Sequence, residues 1–557
     1  MASTAQKAKD IVFTASLSPI EHFILTEDFI NGAYDPNLAA EEVLRRIETC
    51  QDADVEDTLR SLKHDWHRLL ELVTAPAEVP TAAARLLAQR HGDRCCITPE
   101  STMPVVEPVA TFIVSPKTLE LWEDDTNPPL RRLLEAFLTP ARADLLRHML
   151  ADSSSRAELL NLLLVSPSIA HGLRCGHVQI LPLPRRSWDY LDDVNLQETA
   201  EQMYYLMPLN SDVYEEVFFA DGTRVLENRA ARKFRLRTAN SEEMPLPSQF
   251  LLKMQHKFAR SRRRFAVEKL AREPLPLQSS SFWSRGAQLA FRRLWHIVPA
   301  FLRNMCYKYM LSRSRHVDIS PLVYPLPFGL YAKMDACSDG NEPAALELLE
   351  KEAPSIPAPL LIDRFCDRDG KNWFIMTRLP GFRVDRVFYR MSYAERDQLA
   401  HDLSRTIDQM HAIPNKTPYL FAGVRGGPIN DPSASASGCG PYNSEADFNA
   451  QISKGFQQSL LEQIPTAFSK THKSVFTHSD LFFSNVLVDG GRLSGIIDWE
   501  YAGFLPEYWE FTKVMLAVRL EPHFQDIYRK IWGHKYDEEL AVRTWLADVF
   551  PFGGPEE

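Results

Sequence analysis

Hydrophobic residues recur every three or four positions along the first part of the chain, which is the spacing of an amphipathic helix. The segments EEVLRRIETC (41–50) and DVEDTLRSLKHDWHRLLELV (54–73) show this spacing over several turns. Proline residues then interrupt the pattern, and the β-branched run VATFIV (109–114) is typical of a strand. Helical spacing returns at 129–164. We therefore predict a helical region at residues 1–75 and a mixed domain of helices and strands at 76–272.

A strongly basic helix is predicted at the end of this mixed domain, in the segment LLKMQHKFARSRRRFAVEKLAR (251–272). Its charges suit a surface for nucleic acid or acidic lipid. They equally suit the solvated outer face of a helix that closes the domain, because apolar residues share the segment. The stretch EPLPLQSSSFWS (273–284) follows and predicts a linker and the main domain boundary.

The most hydrophobic helical segment, residues 286–310, lies between this linker and the last domain, so residues 273–316 are predicted as linker and basic amphipathic helix. Its basic residues are too many for a membrane-spanning helix. One interpretation is an interfacial helix that contacts a membrane surface; the other is a core-facing helix bent at Pro299. The apolar side is predicted to carry Phe291, Leu294, Trp295, Val298 and Leu302.

Strands and helices then follow in an order that predicts a further domain at residues 317–557. Apolar residues precede Lys333 in PLPFGLYAKM (325–334), and NWFIMTRLPGFRVD (372–385) predicts a second strand. The segment SYAERDQLAHDLSRTIDQMHAI (392–413) predicts a long helix that begins with a capping box of Ser392 and Glu395.

Length and composition limit the class of protein. A chain of 557 residues suggests three or four domains at roughly 150 residues each. The 63 basic and 73 acidic residues give a net charge of −10, which argues against a surface built as a whole for nucleic acid. The 8 cysteines include no CxxC pair, so a disulfide scaffold or zinc ribbon is not expected. The N-terminal residues MASTAQKAKDIVF lack the pattern of a secretory signal, and we expect a cytoplasmic location.

The candidate chemistry is concentrated in VFTHSDLFFSNVLVDGGRLSGIIDWEYAGF (475–504). An apolar strand leads to His478 and Asp480, Asn485 follows, and a hairpin leads to Asp498. Phosphoryl transfer needs a carboxylate that accepts or orients a hydroxyl, and hard oxygen ligands that bind magnesium. This arrangement supplies both.

The same residues resemble the catalytic loop and metal-binding Asp of the kinase fold, and IIDWE is similar to the aminoglycoside phosphotransferase branch of that superfamily. The resemblance covers roughly residues 319–517 and is to the fungal type of this family. It implies that Asp480 is the catalytic base, that His478 is a buried residue supporting it, and that Asn485 and Asp498 bind Mg²⁺. It also implies a bilobal domain that uses ATP.

The resemblance implies a nucleotide site in the preceding lobe. Lys333 is expected to reach the α- and β-phosphates. The following helix should supply the acid that orients this lysine, for which Glu342 and Glu347 are both candidates. Backbone groups of Met376, Arg378 and Leu379 are expected to meet adenine.

Three further features belong to this resemblance. Gly329 is the one glycine in the position of the usual multi-glycine loop, so a catalytically inactive kinase-like binding or scaffold protein is an alternative. The segment GGPINDPSASASGCGP (426–441) is interpreted as a flexible insertion bordering the substrate. Glu507 and Glu510 are candidates to face a cationic substrate.

The N-terminal half resembles an HNH-endonuclease-like region in two segments, 85–116 and 161–180. Asn161 and His171 stand in the later positions of that motif, but Thr111 stands where its first His is expected. In that chemistry the first His activates water beside a divalent metal, and a threonine cannot act as that base near neutral pH. We therefore expect a degenerate module in which His171 and His177 are ordinary hydrogen-bonded histidines. A nucleic-acid-associated protein is a second alternative.

These inferences describe an α+β protein with a helix-rich mixed N-terminal domain and a C-terminal bilobal kinase-like domain. The predicted function is ATP-dependent transfer of the γ-phosphate to a hydroxyl of a small molecule, because no APE segment for protein substrates follows Asp498. Nucleic acid is not expected as a partner. The sequence predicts neither the phosphate acceptor nor the oligomeric state.

Overall fold

The structure is a computed structural model that describes residues 3–49, 54–98, 103–123, 128–183, 200–208, 217–225, 232–274, 283–317, 320, 322–335, 340–367, 369–435, 437–454, 470–519 and 522–549. The chain divides into two compact units, Met1–Pro274 and Leu275–Glu557, and helices and strands are mixed in both. Most of the predicted linker (275–282) lies outside the described residues, as do Cys50 and Cys337.

The N-terminal unit is rich in helices that enclose an apolar core. In the segment 54–73, Leu59, Leu62, Trp66 and Leu69 all lie on one buried face, which is the face that the helical spacing predicts. The helices include α1 (Thr4–Thr14), α2 (Pro19–Phe23), α3 (Pro36–Thr49), α4 (Val55–Val73), α5 (Thr81–His91), α6 (Glu120–Glu123), α7 (Pro128–Leu138), α8 (Pro140–Ala151), α9 (Ser155–Leu160), α10 (Pro167–Cys175) and α11 (Gln249–Arg272), with a π-helix at Ile24–Ile30 and a 3-10 turn at Pro116–Leu119.

Two small antiparallel sheets accompany these helices. One pairs β1 (Val109–Phe112) with β2 (Leu162–Val165), and Thr111 lies opposite Leu163. The other has the order β3-β4-β5, from Val178–Leu183, Glu201–Pro208 and Lys233–Arg237. Helix α11 packs against β3, α4 and α10, and so lies inside the unit.

The basic helix α11 does not present its charges as a solvated outer face. Arg263 and Arg264 are buried, and the Arg264 Nε atom lies 3.1 Å from a carboxylate oxygen of buried Asp28. Lys257 donates to the Gly32 carbonyl at 2.8 Å. The expectation of a solvated face was wrong, because several of these cations form internal ion pairs or bond to backbone carbonyls. The same cations are therefore not available to a nucleic-acid surface.

The first lobe of the C-terminal unit contains a four-stranded antiparallel sheet of order β6-β7-β9-β8, from β6 (Val323–Leu326), β7 (Leu330–Met334), β8 (Leu361–Cys366) and β9 (Asn372–Thr377). Successive side chains of a strand point to opposite faces. Leu330 and Ala332 therefore belong to one face of β7, and Tyr331 and Lys333 to the other. The face with Leu330 and Ala332 is buried in an apolar cluster.

Two helices, α12 (Arg285–Trp295) and α13 (Ala300–Arg313), cover that apolar face. Pro299 is the N-cap of the second helix, so the segment is two helices and not one bent helix. Phe291 and Trp295 pack against the sheet, whereas Leu294 is 66% exposed. The predicted common apolar side is therefore wrong. The exposed apolar residues here are Leu294, Ile297, Phe301, Met305 and Tyr309.

The rest of this unit is a mainly helical lobe with two three-stranded sheets. The long helix begins with the predicted capping box, in which the Ser392 backbone N–H donates to Glu395 at 2.7 Å. Helix α14 (Asn341–Glu352) precedes this lobe, between β7 and β8. The helices of the lobe are α15 (Val384–Val387), α16 (Tyr393–His411), α17 (Glu445–Ile452), α18 (Trp509–Ala517), α19 (Pro522–Trp532) and α20 (Asp537–Val549), and its sheets are built from β10 (Phe382–Arg383), β11 (Ala422–Gly423), β12 (Ser474–Thr477), β13 (Val486–Asp489), β14 (Arg492–Ile496) and β15 (Gly503–Pro506). In the part of the chain that the structure describes, no helix is long and apolar enough to cross a membrane.

Candidate active site

Lys333 lies near the end of β7 with its ammonium group among acidic side chains. The side chain is buried, and Nζ lies 2.6 Å from Oε2 of Glu342 on α14. It also donates to Asp498 and lies 3.3 Å from Oε2 of Glu500. Four residues from three separate segments thus meet at one point, and Glu500 is the member that the sequence analysis did not identify.

The pairing settles which acid accompanies the lysine in this structure. Glu342 binds Lys333 with one oxygen, and its other oxygen accepts the Trp499 backbone N–H at 3.2 Å. Glu347 instead forms ion pairs with Arg364 at 2.5 Å and Arg425 at 3.0 Å. The sequence distance to the following strand did not discriminate between the two, because it does not show which side of α14 faces the cleft.

Three carboxylates around one ammonium leave an excess of negative charge. Burial alone would lower the pKa of Lys333, but Glu342, Asp498 and Glu500 outweigh it and raise this pKa well above its ordinary value. Burial, together with Asp498 and Glu500, raises the pKa of Glu342 despite the attraction of Lys333. A second cation at this point would relieve the excess, and carboxylate oxygens are the donors that magnesium prefers.

The loop after β12 carries Asp480 in a fixed conformation. Ser479 adopts a left-handed backbone with φ of 65°, which turns the chain sharply before Asp480. Asn485 donates from Nδ2 both to the Asp480 carbonyl and to its carboxylate Oδ2, each at 2.8 Å. Because Nδ2 makes both bonds, the Oδ1 oxygen of Asn485 is the atom left to bind a cation.

His478 supports this loop from the interior. Its Nδ1 accepts the Asp480 backbone N–H at 3.1 Å, so Nε2 carries the proton and donates to the Ile497 carbonyl at 3.0 Å. The imidazole is fully buried, and burial lowers its pKa to about 4. A neutral histidine therefore joins the loop of Asp480 to the residue that precedes Asp498.

The carboxyl group of Asp480 is less acidic than an ordinary aspartic acid. Burial raises its pKa to about 6, and the nearby charges of Asp498 and Asp431 act in the same direction. Lys513 and the hydrogen bond from Asn485 oppose this shift. A carboxylate with a pKa near 6 is ionised at neutral pH but accepts a proton more readily than a solvated one, which suits a general base.

A buried polar layer under the loop was not foreseen from the sequence. Lys513 on α18 donates to both carboxylate oxygens of Asp431 at 2.9 Å and to the Ser479 carbonyl. Asp431 also accepts from the Ser479 hydroxyl at 2.5 Å and from Trp509 Nε1 at 2.7 Å. Burial would raise the pKa of Asp431, but Lys513 and these donors outweigh it and lower the pKa.

The structure contradicts two expectations about the surroundings of the loop. Asp431 belongs to the segment 426–441, interpreted above as a flexible insertion, yet its side chain is fully buried and Ile429 pairs with Cys439. Glu510 does not face a substrate, because it is buried and accepts the backbone N–H groups of Ser479 at 2.9 Å and Leu481 at 3.1 Å. Glu507 is engaged at the surface with Lys535 at 3.0 Å.

The connection between the lobes follows β9. The Arg378 backbone N–H is donated to the Gly329 carbonyl at 2.8 Å, so the turn at Phe328 and Gly329 touches the connecting segment and lies at the opposite end of β7 from Lys333. Met376 lies within β9 opposite Tyr331, and Leu379 contacts Gly495 of β14. Gly381 has a φ of 99°, which few other residues adopt.

A small pocket lies near this turn but on the other side of the sheet. It is lined by residues including Phe291, Gly329, Leu330 and Thr377. Leu330 belongs to the face of β7 opposite to that of Lys333, so this pocket is separate from the acidic cluster.

Residues 340–547 match the model of a family described as the phosphotransferase enzyme family. The C-terminal unit is phosphotransferase-like. The matched residues contain Glu342, Asp480, Asn485 and Asp498, and Lys333 lies shortly before them. No residue of the N-terminal unit falls in the match.

Solved structures of aminoglycoside phosphotransferases also resemble part of the chain. A thermostable APH(4)-Ia mutant in complex with AMP-PNP and hygromycin B is 16% identical, with a TM-score of 0.32, and the match covers 41% of this chain and 79% of that one. The complex of APH(2")-IIa with streptomycin and ATP is 19% identical, with a TM-score of 0.29, covering 41% and 78%. These low values do not indicate a substrate for the phosphotransferase-like unit. No curated protein matches the chain.

Proposed function

We propose that the C-terminal unit transfers the γ-phosphoryl group of ATP to a hydroxyl group of a small molecule. The observation that carries the proposal is the meeting of Lys333, Glu342, Asp498 and Glu500 beside the loop of Asp480. The match of residues 340–547 to the phosphotransferase family supports the reaction class.

In this proposal Asp480 receives the proton of the acceptor hydroxyl. The acceptor oxygen forms a bond to the γ-phosphorus, the bond from that phosphorus to the bridging oxygen breaks, and ADP leaves with the electron pair. A pKa of about 6 keeps Asp480 ionised at neutral pH. Asn485 holds the carboxylate in one orientation, and His478 and Glu510 hold the backbone on both sides of it.

The nucleotide phosphates are assigned to Lys333, which Glu342 keeps oriented. Asn485 and Asp498 would hold Mg²⁺, and the second carboxylate of the cluster, Glu500, lies within reach of the same point. All of these donors are hard oxygens, which fits this ion. Magnesium, when bound, supplies positive charge against the charge of the transferring phosphoryl group. The backbone of residues 376–379 is assigned to the adenine side.

Nucleotide binding is tested first by thermal unfolding of the full chain with ATP, with and without Mg²⁺. The wild type should unfold at a higher temperature with both present, because a ligand that binds only the folded state stabilises it. The variant Asp498→Ala should lose the part of this increase in unfolding temperature that depends on Mg²⁺. Asp489→Ala removes an exposed aspartate of the neighbouring hairpin and should behave as wild type. No shift of the wild type at millimolar ATP and Mg²⁺ would contradict the proposal.

Transfer itself is tested by ADP formation with mixtures of sugars, polyols and amino alcohols. The wild type should form ADP faster with one of these mixtures than without it, and Asp480→Asn should abolish that increment while keeping the ATP-dependent thermal shift. An increment that survives in Asp480→Asn would show that Asp480 is not the base.

A further inference from the structure

A second group of metal-ligating side chains lies in the N-terminal unit, far along the chain from the phosphotransferase-like residues. His171, Cys175 and His177 each offer one donor atom, and these three atoms all lie within 4.8 Å of one another. From the sequence, His171 and His177 were expected to be ordinary hydrogen-bonded histidines, and no role was predicted for Cys175.

The local chain brings these residues together for clear reasons. His171 and Cys175 are four residues apart on α10, and this spacing places them on the same side of the helix. Helix α10 ends at Cys175, and the following Gly176, with a φ of 76°, turns the chain back. The His177 backbone N–H donates to the Gly172 carbonyl at 2.7 Å. A Cβ atom at position 176 would clash with the Ala259 carbonyl of α11, so this tight turn requires glycine.

The distance between two of the donor atoms fits a tetrahedral ion. Zinc bonds of about 2.3 Å to sulfur and about 2.0 to 2.1 Å to nitrogen require a sulfur–nitrogen separation of about 3.5 Å across a tetrahedral angle. The Cys175 Sγ atom lies 3.5 Å from Nε2 of His171. The rings of His171 and His177 lie 6.2 Å apart by their centroids, so both can direct a nitrogen to the same point.

We propose that His171, Cys175 and His177 form a zinc site that ties the end of α10 to the start of β3. A thiolate with two imidazoles is a donor set that selects zinc over magnesium or calcium. His177 is buried and His171 exposed, so the fourth position faces solvent and would be taken by water. Both joined elements pack on α11, and the ion would therefore stabilise the unit.

The proposed site is distinct from a nuclease centre. Thr111 of the neighbouring strand accepts a hydrogen bond from Arg174 at 3.5 Å and offers no imidazole that could activate water. The role proposed for the ion is to join α10 to β3, and cleavage of nucleic acid is not part of the proposal.

The test uses the full chain, stripped of metal by a chelator and titrated with Co²⁺ as a spectroscopic substitute for Zn²⁺. One equivalent of Co²⁺ should produce the near-ultraviolet band of a thiolate–cobalt bond and the visible bands of a tetrahedral ion. Oxygen donors of the C-terminal unit cannot produce the thiolate band, so binding there is distinguished. Zn²⁺ should displace the cobalt and remove both signals.

The variants Cys175→Ser and His177→Gln remove one ligand each. Loss of groups that merely support a ligand weakens metal binding roughly 10- to 100-fold, so loss of a ligand should weaken Zn²⁺ binding by about 100-fold or more. Cys175→Ser should also remove the thiolate band. The controls Cys306→Ser, an exposed cysteine, and His148→Gln, a histidine of the same unit, should keep wild-type binding.

Circular dichroism and thermal unfolding of the metal-free forms exclude a folding defect, since each variant should match the metal-free wild type. Added Zn²⁺ should then raise the unfolding temperature of the wild type and of the two controls only. The proposal is overturned if the wild type shows no thiolate–cobalt band, or if Cys175→Ser binds Zn²⁺ as tightly as wild type.

Discussion

The substitution Lys513→Met removes the cation from the buried layer beneath the catalytic loop and keeps a side chain of similar length. It deletes the bonds to both Asp431 oxygens and to the Ser479 carbonyl. The Asp431 carboxylate would then be fully buried without its hydrogen-bonded cation, although Trp509 and Ser479 still donate to it and the buried guanidinium of Arg543 still attracts it.

Removal of one partner of a buried ion pair costs about 3–5 kcal/mol, because the other charge is left in a medium of low polarity. Asp431 can escape that penalty by taking up a proton. At pH 7 this costs about 4 kcal/mol, since the ordinary pKa of an aspartic acid lies about three units lower and each unit is worth about 1.4 kcal/mol. The cost of leaving the charge unpaired and the cost of protonating Asp431 are therefore similar, and we expect Lys513→Met to lower the free energy of unfolding by about 4 kcal/mol.

Protonation of Asp431 in the variant also determines the sign of the pH dependence of stability. In the wild type Lys513 and the other donors lower the pKa of Asp431, so its contribution to stability is present at neutral pH and is lost as the pH falls through that lowered pKa. In the variant the carboxyl group is protonated, and protonation becomes cheaper at lower pH. The stability difference between wild type and variant should therefore shrink to about 1–2 kcal/mol at pH 5.

Hydrogen exchange followed by mass spectrometry measures this effect locally. Peptides that cover residues 474–489 should exchange roughly 10² to 10³ times faster in Lys513→Met, whereas peptides of α4 in the N-terminal unit serve as an internal control. The double variant Asp431→Asn with Lys513→Met should recover part of the protection, because asparagine keeps the acceptor for Trp509 without the charge. Less than a tenfold change in the single variant, or a double variant worse than the single one, would refute the reasoning.

Two other consequences concern the loop and the connection between the lobes. The phosphotransferase rate should fall about tenfold per pH unit below pH 6, because burial raises the pKa of Asp480 to about 6 and the base must be ionised; a rate that stays constant down to pH 5 would contradict its role. Gly381→Ala should destabilise the C-terminal unit by about 3 kcal/mol or more, since φ is 99° and the added Cβ would lie 2.6 Å from the Val488 carbonyl oxygen. In the control Gly370→Ala, φ is 79° but the added Cβ would meet open space. Chemical denaturation should therefore show a loss of only about 1–2 kcal/mol in the free energy of unfolding.

The sequence was most informative where the chemistry is contiguous. His478, Asp480, Asn485 and Asp498 lie within one strand, turn and hairpin, so local patterns were sufficient to bring them together. The face of β7 on which Lys333 lies could be predicted, because successive side chains of a strand alternate between its two faces. The partner of Lys333 could not be assigned, because the sequence does not show which side of α14 faces this lysine, and Glu342 and Glu347 lie on different sides of that helix.

The buried polar layer under the loop could not be predicted from local sequence patterns. Asp431 comes from a segment rich in Gly and Ser, whose composition resembles a flexible insertion. Its partner Lys513 is 82 residues away along the chain, and neither residue stands out in a local motif. Burial of a charge is decided by contacts between distant segments, and a periodicity cannot reveal those contacts. For the same reason the burial of Arg263 and Arg264 in α11 was not predicted, and both were expected at the surface.

The acidic cluster also constrains how a nucleotide can reach its lysine. A lysine ammonium has three N–H donors, and Lys333 directs its bonds to Glu342, Asp498 and Glu500. A phosphate oxygen can therefore bind Nζ only after the hydrogen bond from Nζ to one of these carboxylates is broken. Glu342 is held on both oxygens and is 4% exposed, whereas the side chains of Asp498 and Glu500 are 38% and 26% exposed. The two accessible carboxylates are those suited to a divalent cation, so cation binding there and release of Lys333 toward the phosphates would be a single event. For this reason ATP without Mg²⁺ must compete with Asp498 for the lysine, and the proposed function requires its thermal shift to be the smaller one.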